Sequence, residues 1–424
     1  MRLDRRHHWC RFSFRGSELV ERVVIVGGSH AAVSVADDLR KHGFEGSVTL
    51  ISEEAVLPYQ RPPLSKAYMS GEMSLERLKL RPEHWYDEQN VQAHLSSRVI
   101  AVDRQAREVV TEEGARIGYD ALVLATGAHA RTLPGDFGGA LSNVHTMRDL
   151  GDADALMAKM VPGRRLVVIG GGYIGLEAAA EAAKKGMQVT VVEAAPRILQ
   201  RVACRETADA FRALHESHGV TILENTQIAR IADDGTGTAA AVELEDGTSL
   251  PCDLVVVGIG IVPNAELAEA AGLEVAVGIS VDAHGRTSDP AIYACGDCTV
   301  FPFHHTPTRL ESVQNAHDQA GIVAANIMGQ DTEYDPHPWF WSDQYDMKLQ
   351  IAGFNRGYDR VVARPGKREG SISHFYFMGE TFLAVDCLND AATYAMSRKI
   401  LAEGKPLTPD MVADEAFDLR GFAR

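Results

Sequence analysis

Apolar residues along this chain gather in short runs of strand length, each closed by glycines and followed by helical spacing. Arg22-Val-Val-Ile-Val26 runs into a Gly27-Gly-Ser-His-Ala-Ala32 turn and a helical stretch, and a second run, Ser47-Val-Thr-Leu-Ile51, follows. The same order returns at Leu166-Val-Val-Ile169, Gly170-Gly-Gly-Tyr-Ile-Gly-Leu-Glu177, an alanine-rich helix and Val189-Thr-Val-Val192. Apolar run, glycine turn, helix and apolar run predict buried parallel strands joined by a crossover helix, twice over. Each second run leads to an acid, Glu53 and Glu193.

The glycine spacing adds chemistry. In the second unit Gly170 allows the strand-to-helix turn, Gly172 lets the backbone approach a pyrophosphate, and Gly175 lets helix and strand pack closely. Bare amides at the helix N-terminus face the phosphates, and Glu193 is placed to accept hydrogen bonds from a ribose. In the first unit Gly27 keeps the turn, but Ser29 and Ala32 replace the later glycines. Two such units in one chain mean two dinucleotides, or one unit used and one decayed; the usual reason for two is that they exchange electrons, with a flavin in the first and a nicotinamide in the second.

Between the units, Leu57-Pro-Tyr-Gln-Arg-Pro-Pro-Leu-Ser-Lys66 is broken by prolines. The strand-like Tyr119–Ala128 stretch ends in Ala125-Thr126-Gly127, a crossing into the second domain, which runs to about residue 263. Ala291-Ile-Tyr-Ala-Cys-Gly-Asp297 reads as a strand, and a helix follows with apolar positions Ala316, Ala320, Val323, Ala324 and Ile327. After residue 333, strand-like runs at Leu349–Ile351, Arg360–Ala363, Ser371–Phe377 and Phe382–Val385, then a helix at Ala391–Ala402, predict a small α+β domain. The organisation expected is 1–20 as an extension, 21–127 with 263–332 as one domain, 128–262 as an insert, and 333–424 as the third.

Composition excludes some classes. The 424 residues carry 42 Lys and Arg against 58 Asp and Glu, a net charge of −16, which argues against a nucleic-acid binder. No apolar run reaches bilayer length, so no membrane association is expected and the location expected is the cytoplasm. Six cysteines in a chain of this size are no disulfide scaffold. Cys295 and Cys298 read as packing residues, and the adjacent pair His304-His305 lacks ligand spacing, so no metal is expected. Residues 1–20 are basic but have no apolar segment for a secretory signal.

Together, Pro58-Tyr-Gln-Arg-Pro-Pro-Leu-Ser-Lys66, Leu124-Ala-Thr-Gly127, the Gly170–Glu177 motif, Gly296-Asp-Cys298 with Glu311-Ser-Val-Gln-Asn315, and Trp339-Phe-Trp-Ser-Asp-Gln344 resemble the FAD-dependent, NADH-oxidising ferredoxin reductases of bacterial cytochrome P450 and dioxygenase systems. The resemblance spans residues 21–420 and implies an α/β protein of the glutathione-reductase type, with two dinucleotide-binding domains and a C-terminal α+β domain. It implies FAD contacts at Gly27, Ser29, His30, Ala31, Glu53, Arg61, Lys66, Val99, Ala125, Thr126, Gly127, Arg148, Asp297 and Val313. Glu53 is preferred to Glu54 for the adenosine ribose on strand register. Nicotinamide dinucleotide contacts are implied at Gly170, Gly172, Tyr173, Ile174, Gly175, Glu193 and Gly260.

Lys66 is expected beside the flavin ring, Glu177 near the nicotinamide and paired with Lys66, and Trp341 between flavin and partner. The helix beginning at Val313 points its positive end at the flavin. A carboxylate at Glu193 repels a 2′-phosphate and favours NADH, although Arg197 could neutralise such a phosphate. The acceptor implied is a [2Fe–2S] ferredoxin feeding a P450 or another oxygenase; Arg77, Lys79, Arg81 and Arg309 are candidates for a basic docking patch, although the first three read first as a solvated charged face. Two other readings share the cofactor motifs: a flavoenzyme with a small acceptor, like monodehydroascorbate reductase or an NADH oxidase, and a redox-sensing module like apoptosis-inducing factor.

Overall fold

A computed structural model describes residues 20–303 and 306–424. The basic extension up to residue 19 and the His304-His305 pair lie outside the described residues. The chain opens with strand β1 (Arg22–Val26), helix α1 (His30–Lys41), β2 (Ser47–Ile51), β3 (Val91–His94) and β4 (Ala121–Leu124). It then enters a second unit: β5 (Val144–His145), β6 (Arg165–Ile169), α2 (Tyr173–Lys184), β7 (Gln188–Val192), α3 (Arg205–Ser217), β8 (Thr221–Leu223) and β9 (Leu254–Val257). It returns to the first through β10 (Ile292–Ala294) and α4 (Val313–Ile327).

Both central sheets are parallel, in the orders β10-β4-β1-β2-β3 and β8-β7-β6-β9-β5. Their inner strands β1, β4, β6 and β9 are buried on both faces, which is why they read as unbroken apolar runs. Val23, Ile25, Ala32, Val35, Val323 and Ala324 form one core, closing α1 and α4 over the first sheet. The chain leaves the first unit along Ala128–Ala130 and returns along Ile261–Pro263, and these segments pair antiparallel as a two-stranded ribbon. Small antiparallel sheets at 99–118 and 228–251 flank the units; neither was foreseen from the sequence.

The last part is a five-stranded antiparallel sheet of β11 (Trp339–Gln344), β12 (Met347–Gly353), β13 (Arg360–Pro365), β14 (Ile372–Met378) and β15 (Thr381–Leu388), in the order β11-β12-β15-β14-β13. Helix α5 (Ala391–Ala402) follows. The Trp-Phe-Trp stretch, read as a motif without secondary structure, is the edge strand of this sheet. No helix among the described residues is long and apolar enough to cross a membrane.

Candidate functional site

A continuous cleft of about 2210 Å³ runs between the units and is lined from both glycine turns, the proline segment, the start of α4 and β11. Every residue that the resemblance assigned to a cofactor lines it, except Gly175.

The glycines divide by what crowds them. Gly27 has φ +138°, and a Cβ there would lie 2.1 Å from the Ala125 carbonyl oxygen. Gly170 has φ +106°, and its Cβ would lie 2.4 Å from the Gly258 carbonyl oxygen. At Gly175 a Cβ would meet the Gly170 carbonyl oxygen at 2.2 Å, so this glycine serves helix–strand packing from behind the cleft. At Gly172 a Cβ would meet nothing within 4 Å. Packing therefore leaves Gly172 free to be larger, and space for an incoming phosphate is the requirement left for it.

On the first turn His30 is 8 % exposed, and neither ring nitrogen has a hydrogen-bond partner among the described residues. Burial, then His317 and Arg61, pull its pKa down to about 4. A buried neutral imidazole with unpartnered nitrogens at the head of α1, just past the Gly27 turn, fits a phosphate group of a dinucleotide. Arg61 completes this end: it pairs with Glu54 at 2.5 Å and reaches Ser29 Oγ at 3.3 Å. Arg148 pairs with Asp297 at 2.8 Å and donates to the Ala128 carbonyl, and Thr126 Oγ1 donates to Asn264 O across the ribbon.

Strand register does not single out Glu53. Ile51 O accepts from the Gly27 amide as Val192 O accepts from Gly170, so the position matching Glu193 is Ser52. Glu53 lies one residue further, on the cleft rim, with its side chain 65 % exposed and Arg98 at 3.8 Å. Glu54 is held by Arg61 and the Tyr59 hydroxyl. Glu53 is the freer acceptor for a reason of partnering, not register.

At the second turn Glu193 is not idle: its carboxylate accepts from the Gly171 amide at 2.6 Å and the Ala195 amide at 2.7 Å. Arg197, expected as a possible phosphate partner, is only 8 % exposed and donates to the carbonyls of Ile198, Ala203 and Cys204. It cannot neutralise a 2′-phosphate. Tyr173 packs against Phe340 with ring centroids 5.0 Å apart and the rings tilted by 35°, and Ile174 is exposed to the cleft.

Between the two turns Lys66 Nζ lies 2.6 Å from Glu177 Oε2. Glu177 is 2 % exposed, and its carboxylate also accepts from Ser65 Oγ at 2.6 Å and Ser342 Oγ at 2.7 Å. The serines had no signal in a linear reading, since 112 and 165 residues separate them from Glu177. Trp341 lines the cleft, with Trp339 at 5.5 Å. Cys295 and Cys298 are fully buried, and burial raises both thiols, which makes thiolate chemistry unfavourable there. Of the candidate docking residues, Arg309 lines the cleft, whereas Arg77, Lys79 and Arg81 do not. Lys79 pairs with Glu76 and Arg81 with Asp37, each at 2.7 Å, and Arg309 pairs with Glu311.

Residues 21–320 match the family described as pyridine nucleotide-disulphide oxidoreductase, and residues 339–423 match one described as reductase C-terminal. The chain is 44 % identical to rhodocoxin reductase of Rhodococcus erythropolis over 400 residues, covering 94 % of this chain and 93 % of that one. It is 41 % identical to putidaredoxin reductase CamA of Pseudomonas putida over 405 residues, covering 94 % and 96 %. The fold superposes on the crystal structure of the covalent putidaredoxin reductase–putidaredoxin complex with a TM-score of 0.89 at 40 % identity, covering 95 % of this chain and 98 % of that chain. The chain belongs to the pyridine nucleotide-disulphide oxidoreductase family and, within it, to the putidaredoxin reductase-like ferredoxin reductases.

Proposed function

We propose that this chain takes hydride from NADH onto bound FAD and passes electrons one at a time to a [2Fe–2S] ferredoxin, which feeds a cytochrome P450 or another oxygenase in the cytoplasm. The observation that carries this is the pair of Lys66 with the buried Glu177, which ties the proline segment of the flavin side to the helix of the nicotinamide side within one cleft. FAD supplies the conversion between a two-electron donor and a one-electron acceptor.

The residues hold and orient. Gly27, Ser29, His30, Ala31 and Arg61 take the flavin pyrophosphate, Glu53 the adenosine ribose, and Val99, Ala125, Thr126, Gly127, Arg148 and Asp297 the middle of the molecule. Val313, with Ser312 capping α4 by accepting from the Asn315 amide, turns a helix N-terminus toward the ring. Lys66 keeps a positive charge on the same region. Gly170, Gly172, Tyr173, Ile174 and Gly260 hold the nicotinamide dinucleotide, Gly175 closes the helix on its strand, and Glu193 excludes a 2′-phosphate. Trp341 lines the side from which electrons leave.

The test compares NADH oxidation with and without a [2Fe–2S] ferredoxin. Ferredoxin-dependent reduction of cytochrome c is expected. Turnover with ferricyanide but none through any ferredoxin would instead favour a small acceptor.

A further inference from the structure

Strand β11 lies against α2 with matched spacing. Phe340, Ser342 and Gln344 alternate onto one face of the strand, as a period of two requires. Tyr173 and Glu177 lie one turn apart on α2, and they meet Phe340 and Ser342 respectively. Gln344 Nε2 lies 3.2 Å from Ser342 Oγ, and Gln344 Oε1 lies 2.7 Å from His215 Nε2 on α3. Ser342 and His215 have no exposed surface, and Gln344 is 1 % exposed.

The direction of this chain follows from its end. A carboxylate only accepts, so Ser342 must donate its one hydroxyl proton to Glu177 Oε1. Its oxygen must then accept from the Gln344 amide nitrogen. That turns Gln344 Oε1 to His215, which must carry its proton on Nε2. Burial lowers the His215 pKa, in keeping with a neutral ring donating from that nitrogen. Every donor from His215 onward is aimed at Glu177, the partner of Lys66.

We infer that Ser342, oriented by Gln344 and His215, is a positioning residue through which the C-terminal domain sets the charge that Lys66 presents to the flavin. The inference rests on the reading of Lys66 as the flavin-side lysine. Glu177 shares its negative charge among Lys66, Ser65 and Ser342. Without the Ser342 donor the carboxylate draws more strongly on Lys66, and less of the lysine charge is felt at the ring.

The experiment uses the FAD-loaded full chain and measures the flavin midpoint potential together with single-turnover reduction by NADH. Ser342→Ala is expected to make the potential more negative and slow reduction about tenfold, the effect of one charge-assisted hydrogen bond. Ser342→Thr keeps the hydroxyl and should restore both. Gln344→Met leaves the hydroxyl but frees its orientation, and should give a smaller shift of the same sign. It carries the test if Ser342→Ala does not fold. Unchanged potential and rate in Ser342→Ala, or in Gln344→Met where that variant stands in, overturn the inference. A wild-type flavin that NADH does not reduce overturns the functional reading instead.

Discussion

Lys66 Nζ and Glu177 Oε2 are 2.6 Å apart, and this pair joins segments 111 positions apart in the chain, the end of the proline turn and the first turns of α2. Lys66 is 18 % exposed and Glu177 2 %. Removing one partner of such a pair leaves a buried charge. Lys66→Met is expected to destabilise the protein by about 2–3 kcal/mol, at the low end because Ser65 and Ser342 still donate to Glu177. The Lys66→Met, Glu177→Gln double variant should recover more than half of that loss in equilibrium urea unfolding. Additive losses would show that the two charges are not coupled.

The contrast between Gly27 and Gly172 separates folding from ligand binding. Gly27→Ala places a methyl 2.1 Å from the Ala125 carbonyl at a φ of +138°, and should yield protein that retains little FAD. Gly172→Ala adds a methyl that meets nothing within 4 Å among the described residues. It should keep wild-type Tm and flavin content and show its defect only as a higher KM for NADH. A drop in Tm for Gly172→Ala would contradict the geometry.

Coenzyme choice should depend on Glu193 and not on Arg197. Glu193→Ala removes the carboxylate that repels a 2′-phosphate, and the kcat/KM ratio of NADPH to NADH should rise on the order of tenfold or more. Arg197→Ala should leave that ratio alone and cost stability, since it strips three backbone carbonyls of their donor.

A second buried acid lies between the nicotinamide unit and the C-terminal sheet. Asp386 on β15 has no exposed surface and accepts from Thr207 Oγ1 on α3 at 2.8 Å and from the Tyr376 hydroxyl on β14. His374 also contacts Thr207, at 2.8 Å, and Cys204 and Tyr173 lie close by. Burial, against these hydrogen bonds, pushes the Asp386 pKa up to about 7. The native state therefore holds a proton that the unfolded chain releases near pH 4. This contribution to stability is complete below pH 4, declines as pH rises to about 7, and is constant above that. Three pK units correspond to about 4 kcal/mol as an upper bound. Asp386→Asn should gain on the wild type from about pH 4 to pH 7 in denaturant midpoint and level off above that, whereas a pH-independent difference would place the proton elsewhere.

Docking charge should be sought on the cleft rim. Arg356, which lies over Phe354 at 5.0 Å, and Arg309 both line the cleft. Charge reversal at either should lower the ferredoxin-dependent rate and flatten its salt dependence while leaving ferricyanide reduction intact. Arg77→Glu should do neither.

Both glycine turns, their flanking strands and α4 were legible because each is written in contiguous residues whose pattern has a single physical reading. The Lys66–Glu177 pair was accessible through family resemblance. What escaped was non-local. Ser65, Ser342, Gln344 and His215 are unremarkable polar residues until folding sets them around Glu177, and nothing local marks Asp386 as buried. Arg197 misled because a guanidinium four residues past Glu193 reads as a ligand, when backbone carbonyls hold it. Glu53 misled in register by one position, because a strand end is set by a carbonyl partner that no side-chain pattern records.

The paired segments Ala128–Ala130 and Ile261–Pro263 have a consequence for engineering. The nicotinamide unit enters and leaves through neighbouring residues, with Ala128 beside Pro263. It is thus a cassette whose ends already meet, and an insert from a reductase of different coenzyme preference could be joined at those two points without rebuilding the flavin half. The donor must also carry an acid matching Glu177 and a helix face that seats β11. Otherwise the graft would bind its coenzyme and fail to engage the C-terminal sheet.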